Sequence, residues 1–232
     1  MASRSRTIAK SIPAWEDYLA WATAKTDGSW LFRGHGQKRW LLTPKIGRPD
    51  IAGPKGWNEP DEKALIDDFW RLARRYIDPL VEPLEVLALG QHYGLPTRLL
   101  DWTTDPLVAA WFALRDQKKK VAAVHAIRVP LSKRLANVDL WTPANAVDVV
   151  VVPEVVARIT AQQGCFSVHR PPNGAWDPTK SGWTHETYVF SWKVRDEVLR
   201  YLDVFGVTAA RLMADLDGIG TTLRARWARR IR

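Results

Sequence analysis

The sequence predicts an α+β fold: one domain in which mixed or antiparallel central sheets are flanked by helices. Segments with helical spacing and β-branched segments follow each other irregularly, which is typical of α+β proteins rather than of alternating α/β folds. The 232 residues, 46% of them apolar, suffice to bury a core without disulfides or metals. We therefore expect one domain over 1–232, with an N-terminal docking helix within 1–28, a core over 29–205 and basic C-terminal helices over 206–232.

Apolar residues spaced three or four apart predict the helices. Asp105 and Pro106 mark the start of one of them, because aspartate accepts from first-turn amides and proline suits the first helical position. Gly94 and Pro96 mark the end of the helix before it. The predicted helices cover residues 11–24, 59–76, 85–92, 106–114, 153–163, 196–205, 208–217 and 221–231.

Bulky alternating or β-branched runs predict the strands, of which the run over 147–152 is typical of a buried strand. The strand at 29–33 runs into two glycines, Gly34 and Gly36, where the backbone is able to approach a neighbouring group closely. The predicted strands are 29–33, 40–46, 97–102, 121–129, 147–152, one beginning at 166–168, and 187–194.

Charge and cysteine content restrict the partners and the compartment. The net charge is +9, and four arginines near the end of the chain form a candidate nucleic-acid-binding strip, although most such runs are solvated helix faces. They are Arg224, Arg226, Arg229 and Arg230. The single cysteine, Cys165, excludes an intramolecular disulfide and predicts a cytoplasmic location. The longest apolar run, 106–114, is far shorter than the roughly 20 residues of a membrane span, so no membrane partner is expected.

Three segments concentrate polar groups: Phe32-Arg33-Gly34, the run from Gln91 to Thr103, and the segment 158–166. An arginine at a strand end beside glycine offers a fixed fork of donors to a phosphate or carboxylate. A salt bridge of Arg33 or Arg98 with Asp101 that only joins two strands explains the same residues equally well.

These segments resemble the FRG domain, a bacterial and phage family named for its Phe-Arg-Gly motif. The resemblance covers most of the chain. It rests mainly on 30–34 and on Gln-His-Tyr-Gly-Leu-Pro-Thr-Arg-Leu-Leu-Asp-Trp-Thr at 91–103, and continues through 106–113, 158–166 and 215–218. It implies a fold more readily than a reaction.

The motif order is also similar to ADP-ribosyltransferases of the Arg-Ser-Glu type, which implies an ADP-ribosyltransferase-like fold and NAD as the substrate. The implied function is an NAD-consuming ADP-ribosyltransferase or NAD glycohydrolase that acts as a bacterial toxin or phage-defence effector, with RNA or DNA as a candidate acceptor and an antitoxin protein as a candidate partner. The candidate catalytic residues are Arg33, His92, Asp101, Thr103 and Gln163. The candidate NAD-binding residues are Phe32, Arg33, Gly34, Gln91, Tyr93, Thr97, Arg98 and Trp102.

The sequence departs from that type in its third motif, which has Gln162 and Gln163 where a catalytic glutamate is expected. Either glutamine binds a ribose hydroxyl without supplying charge, or Asp101 or Glu186 supplies the charge, or the site binds a nucleotide without chemistry. The alternative function is accordingly a non-catalytic RNA- or nucleotide-binding module, and a third hypothesis is a protein-interaction scaffold. The five histidines lack metal-ligand spacing, so no metal is expected.

Overall fold

The computed structural model describes residues 14–77, 82–116, 120–142, 146–152 and 161–230. Several predictions fall outside these residues: the first turn of the helix at 11–24, most of the helix at 153–163, and the side chain of Arg230. The described elements begin with a helix that starts at Ala14, so the N-terminal docking helix is described only from that residue onward.

The described chain contains eight α-helices and seven strands. The helices are α1 (Ala14–Thr23), α2 (Pro49–Ala52), α3 (Glu59–Ala73), α4 (Pro83–His92), α5 (Pro106–Leu114), α6 (Arg195–Val204), α7 (Ala209–Met213) and α8 (Leu216–Arg230). The strands are β1 (Trp30–His35), β2 (Leu99–Thr103), β3 (Ala122–Arg128), β4 (Arg134–Leu135), β5 (Ala146–Val150), β6 (Gly164–Arg170) and β7 (Thr184–Phe190).

All seven strands form one mixed sheet in the order β4-β5-β6-β2-β1-β3-β7. The short edge pair β4–β5 is parallel, and every other neighbouring pair is antiparallel. The predicted α+β class with a mixed sheet is therefore confirmed. None of the helices in the described ranges is both long and apolar enough to cross a membrane.

Side-chain alternation along the strands separates two cores. On one face, Phe32 of β1 joins the helices α1, α5 and α6 around Tyr18 and Val108. Farther along the same face, α4 packs through Leu87 on residues of β2, β5 and β6. The other face carries Leu31 and the buried loop residues that cover it. The two helical layers on the first face thus meet above the junction of β1 and β2.

At this junction the sheet opens. The β1–β3 ladder runs from Trp30↔Arg128 to His35↔Ala123, whereas the described β1–β2 ladder comprises only Phe32↔Thr103. Gly34 packs so closely beneath α5 that a Cβ at its position would stand 2.1 Å from the carbonyl oxygen of Ala109. This close approach places the part of α5 from Ala109 to Ala113 directly over Gly34, beside the open junction.

Two of the predicted elements, the strand at 40–46 and the helix at 208–217, differ from the structure. Residues 40–46 form no strand: Trp40 closes a turn onto Gln37, and a 3-10 turn follows at Lys45–Gly47. Pro44 has no amide hydrogen to donate to a ladder, which favours this irregular path. The helix predicted over 208–217 ends at Met213, because Ala214 adopts a left-handed conformation with φ 53°, and α8 begins anew at Leu216.

Candidate functional site

A cleft of about 370 Å³ lies above the β1–β2 junction, between α4 and α5. Its walls come from β1, β2, α4, α5 and the segment 162–166 that enters β6. Eight of the twelve candidate catalytic and NAD-binding residues line it. They are Phe32, Arg33, Gly34, Gln91, His92, Asp101, Trp102 and Thr103. The fold therefore brings together the Phe-Arg-Gly motif and the two ends of the 91–103 motif, which are distant in the chain.

Arg33 bridges the two strands where their ladder has ended. Its Nη1 donates to the carbonyl oxygen of Asp101 at 2.6 Å and lies 3.4 Å from the Asp101 Oδ2. Its Nε donates to Nε2 of His35 at 3.1 Å. The side chain is only 14% exposed, and burial lowers the pKa of the Arg33 guanidinium from its ordinary value, against the opposing effect of Asp101. Arg33 is thus a rigidly held, poorly solvated cation at the cleft.

His35 is suited to support this cation because it is neutral. It is 3% exposed, and its burial, with Arg33 beside it, lowers the pKa of His35 from 6.5 to about 2. A protonated imidazole would donate through both nitrogens and repel the guanidinium, whereas the neutral ring offers Nε2 as an acceptor. The bond from Arg33 therefore fixes both the tautomer of His35 and the plane of the guanidinium.

Asp101 is the carboxylate of the cleft, and its side chain is 61% exposed. Nε2 of Gln91 donates to its Oδ1 at 2.5 Å. The amide of Gln91 is oriented in turn by the buried hydroxyl of Thr97, which donates to Gln91 Oε1. A polar chain thus runs from Thr97 through Gln91 and Asp101 to Arg33. It holds the carboxylate in one orientation while leaving it open to solvent.

Thr103 lines the cleft, but its hydroxyl mainly serves the fold. Oγ1 donates to the carbonyl oxygen of Gln162 at 2.7 Å and accepts from the amide of Asp105 at 3.0 Å. It thereby ties the end of β2 to the chain entering β6 and to the start of α5. With its proton committed to Gln162, Thr103 is left only a second lone pair to offer a ligand.

Aromatic rings form the apolar part of the cleft. Phe32, which is 1% exposed, lies at its base, whereas the ring of the lining residue Trp102 packs in the core of the other sheet face, where its Nε1 donates to Ser167 Oγ at 2.9 Å. Trp40 is 44% exposed and, with Phe112 of α5, lines the outer part. The cleft therefore combines a buried cation and an exposed carboxylate with ring surfaces able to stack on a planar group.

Four other predicted residues do not line the cleft. Arg98 is 1% exposed and donates from Nε and Nη2 to the two carboxylate oxygens of buried Glu62, each at 2.8 Å. Thr97 acts through Gln91, as described. Tyr93 is 72% exposed and makes an edge contact with His92. Gln163, at φ 48°, accepts from the Thr104 hydroxyl at 3.0 Å, and its neighbour Gln162 lines the cleft instead.

Two further predicted features also lie outside the cleft: Glu186, the alternative source of negative charge, and the C-terminal arginine strip. Glu186 of β7 pairs with Lys25 at 2.7 Å and accepts from Trp21, so it serves the α1 side of the sheet. At the C-terminus, Arg226 and Arg229 both pair with Asp203, which neutralises part of the predicted strip. Of the two carboxylates that the sequence offered as a source of charge, Asp101 lines the cleft and Glu186 does not.

Strand register gathers histidines that the sequence leaves scattered. His125 of β3 and His185 of β7 lie with Nδ1 and Nε2 3.0 Å apart, and His35 contacts His125 ring to ring. Burial lowers the pKa of His125 to about 4. In the described part of the chain, no three histidine, cysteine or acidic side chains are grouped so as to hold a metal ion.

Sequence reasoning missed several residues of the cleft. Arg115 of the α5 C-terminus lies 5.0 Å from the Trp111 ring and pairs with Asp116 at 2.8 Å, and both charged residues line the cleft. A signal was available, since Phe112 and Arg115 follow Val108 and Ala109 at helical spacing. Trp40 belongs to the segment that follows the Phe-Arg-Gly motif, which was expected to be a strand; in the structure it closes a turn onto Gln37 and lines the cleft.

Comparison with known proteins tests the predicted family resemblance. No curated protein and no solved structure matches the chain. The model of the FRG domain family matches residues 28–122, a stretch that includes β1, β2, α4 and α5 and hence most of the cleft wall. The resemblance predicted from the motifs is thereby confirmed over residues 28–122, where the chain is similar to the FRG domain.

Proposed function

We propose that the cleft binds NAD and that the protein consumes it, as an ADP-ribosyltransferase or as an NAD glycohydrolase. One observation carries the proposal: a largely buried arginine and a solvent-facing carboxylate, Arg33 and Asp101, are held side by side in an aromatic cleft. NAD requires such a combination, because it has an anionic pyrophosphate, a planar cationic ring and a ribose that becomes positively charged when the ring leaves.

Arg33 would bind the pyrophosphate. A guanidinium whose pKa is lowered by burial gains when an anion approaches it, and its remaining donors lie in the same plane as those used by His35 and Asp101. A hydrogen bond to a charged group contributes about 1.5–3 kcal/mol. Trp40 and Phe112 supply the ring surfaces for the planar end of the ligand.

Asp101 would stabilise the reaction. The bond between the ribose C1′ and the nicotinamide nitrogen breaks, its electron pair leaves with nicotinamide, and the ribose becomes an oxocarbenium ion that water or an acceptor nucleophile captures. A fixed carboxylate beside that ion stabilises the transition state more than the ground state. The Gln91 amide, held by Thr97, keeps the Asp101 carboxylate in place and spares it reorganisation.

In this proposal the protein acts in the cytoplasm as a toxin or phage-defence effector, because loss of NAD harms the cell that contains it. The net charge of +9 supports RNA or DNA as the acceptor. Arg224, which is exposed, is the first residue of the C-terminal strip to examine for such contacts. An antitoxin protein remains a candidate partner.

The test is nicotinamide release from NAD by the purified protein, alone and with RNA, DNA or cell extract. Asp101→Asn keeps the size of the side chain and removes its charge, and we expect it to slow release by about 100-fold or more. Asp50→Asn, at an exposed position in α2, is the matched control and should release nicotinamide at the wild-type rate. Equal rates for the two variants, or no release in any condition, would contradict the proposed reaction.

A second candidate function is nucleotide binding without chemistry. It is favoured by the engagement of both Asp101 oxygens, one by Gln91 and the other by Arg33, which weakens the negative charge available to a ribosyl cation. Binding of NAD that is not followed by nicotinamide release would support this candidate over the first.

A further inference from the structure

The outer face of α8 is an unusually apolar surface. Leu216, Ile219, Leu223 and Trp227 are 84%, 46%, 58% and 62% exposed. Their spacing of three, four and four residues places them in one line along the helix. Single exposed apolar residues are normal, but four large ones in a continuous stripe mark an interaction surface.

The face of α8 that adjoins the stripe on the side of Ile219 is firmly seated, so the stripe is a stable surface of the fold. Gly218 packs against the backbone of Ala209 in α7, and the Thr222 hydroxyl accepts from the amide of Ala210 at 2.8 Å. Farther along, Arg226 and Arg229 pair with Asp203 of α6. These contacts fix the rotation of α8 about its axis and hold the stripe toward solvent.

The charges beside the stripe are arranged to fit a second copy. Asp217 and Arg224 are seven residues apart, which is two helical turns, so they lie on the same flank. Both are exposed, and neither takes part in the ion pairs found among the described residues. In an antiparallel pair of α8 helices related by a two-fold axis, each Asp217 lies across from the other copy's Arg224.

The apolar residues obey the same symmetry. A two-fold axis between residues 221 and 222 places Leu216 of one copy opposite Trp227 of the other. An axis at residue 221 likewise places Ile219 of one copy opposite Leu223 of the other. The Asp217–Arg224 pair is centred between 220 and 221. A single two-fold axis near residue 221 therefore satisfies the apolar and the charged contacts together, as a self-complementary interface requires.

Gly220 lies next to this centre and lets the helices approach. No atom lies within 4 Å of the place where its Cβ would stand, so the helix surface is flat and open there. A large side chain of a second helix has room to pack over it.

We propose that two copies of this protein associate through α8, antiparallel about a two-fold axis near residue 221. A helix of 15 residues is about 22 Å long. The face of one such helix is smaller than the roughly 800 Å² per partner of a standard interface, so we expect a weak, reversible dimer. This proposal does not depend on the function assigned to the cleft.

Sedimentation equilibrium of the full chain over a wide concentration range tests it. The 26.4 kDa chain should approach twice that mass at high concentration. Leu223→Asp should remain monomeric throughout. Leu131→Asp removes a leucine that is 66% exposed but remote in sequence from the stripe, and should dimerise like the wild type.

Charge reversal separates a specific interface from non-specific association. Asp217→Arg and Arg224→Asp should each weaken the dimer by about tenfold, and the double variant should restore it. A monomer at every concentration would overturn the proposal and would point instead to a different protein as the occupant of the stripe. A dimer that survives Leu223→Asp, or a double variant that shows no recovery, would also overturn it.

Discussion

Replacing Gly34 by alanine tests the close packing of β1 against α5, which places the cleft. The added Cβ would stand 2.1 Å from the carbonyl oxygen of Ala109 and 2.5 Å from the amide nitrogen of Ala113. Non-bonded heavy atoms prefer separations of about 3.5–4.0 Å. Both opposing atoms belong to the backbone of α5, so no side-chain rotation relieves the clash, and the helix must move away by more than about 1 Å.

The cost should be at the upper end of the range for overpacked cores. Inserting a methyl group into a packed interior costs about 1–3 kcal/mol, and α5 is anchored by six buried residues that resist displacement. We expect a loss of about 3 kcal/mol in the free energy of unfolding. For a chain of this size, that corresponds to a fall in melting temperature of roughly 6–12 °C.

The assay is thermal unfolding followed by circular dichroism, with urea unfolding as a second measurement. Gly174→Ala is the matched control, because nothing lies within 4 Å of a Cβ at that position. Its effect should stay within about 0.5 kcal/mol. If Gly34→Ala melts within about 2 °C of the wild type while adopting the same fold, the close contact between β1 and α5 is wrong.

Three further predictions concern stability and reactivity. Three buried histidines have pKa values lowered chiefly by burial: His35 to about 2, His125 to about 4 and His169 to about 3. Below about pH 6.5 these histidines take up protons in the unfolded chain but not in the folded chain. The free energy of unfolding should therefore fall by roughly 4 kcal/mol between about pH 7.5 and 5.5. Urea unfolding at the two pH values measures this fall, and unchanged midpoints would refute it. Burial raises the pKa of the Cys165 thiol to about 12, so a thiol reagent at neutral pH should modify it only after urea unfolding, and rapid labelling of the folded protein would contradict its burial. Arg98→Leu leaves the Glu62 carboxylate buried without its partner and should lower the free energy of unfolding in urea by about 3–5 kcal/mol. The control Arg71→Ala, in an exposed ion pair, should lower it by less than about 1 kcal/mol, and equal effects would exclude the buried pair.

Local signals in the sequence were sufficient for much of the fold. The start of α5 follows from Asp105, whose carboxylate accepts from the amides of Leu107 and Val108, and from Pro106 after it. β3 and α4 agree with their predicted ranges to within a few residues because their apolar periodicity is clear. The segment 40–46 failed because bulky residues predicted a strand, while Pro44 and the turn at Trp40 decide the path of the chain.

The sequence predicted those site residues that stand in contiguous motifs, but not the contacts that depend on residues distant in the chain. Arg33, Gln91 and Asp101 were singled out because each stands in a dense polar segment, and the structure brings them together. The role of Arg98 depends on Glu62, which lies 36 residues earlier on α3 and has no marker in the sequence. The opening between β1 and β2 is likewise a property of strand register, which depends on contacts across the whole sheet.

The proposed function requires that Arg33 organises a nucleotide site in the cleft. Calorimetric titration of NAD into the wild type, Arg33→Ala and Arg39→Ala tests it most directly, with circular dichroism to verify that each variant is folded. Arg39 is an exposed arginine in the turn that follows β1, its Nε donates to Gln37, and its removal should leave the affinity within about twofold. Loss of a charge-assisted bond of about 1.5–3 kcal/mol should weaken binding to Arg33→Ala by about 10- to 150-fold. Equal affinities of the two variants, or no binding of NAD to the folded wild-type protein, would contradict the account.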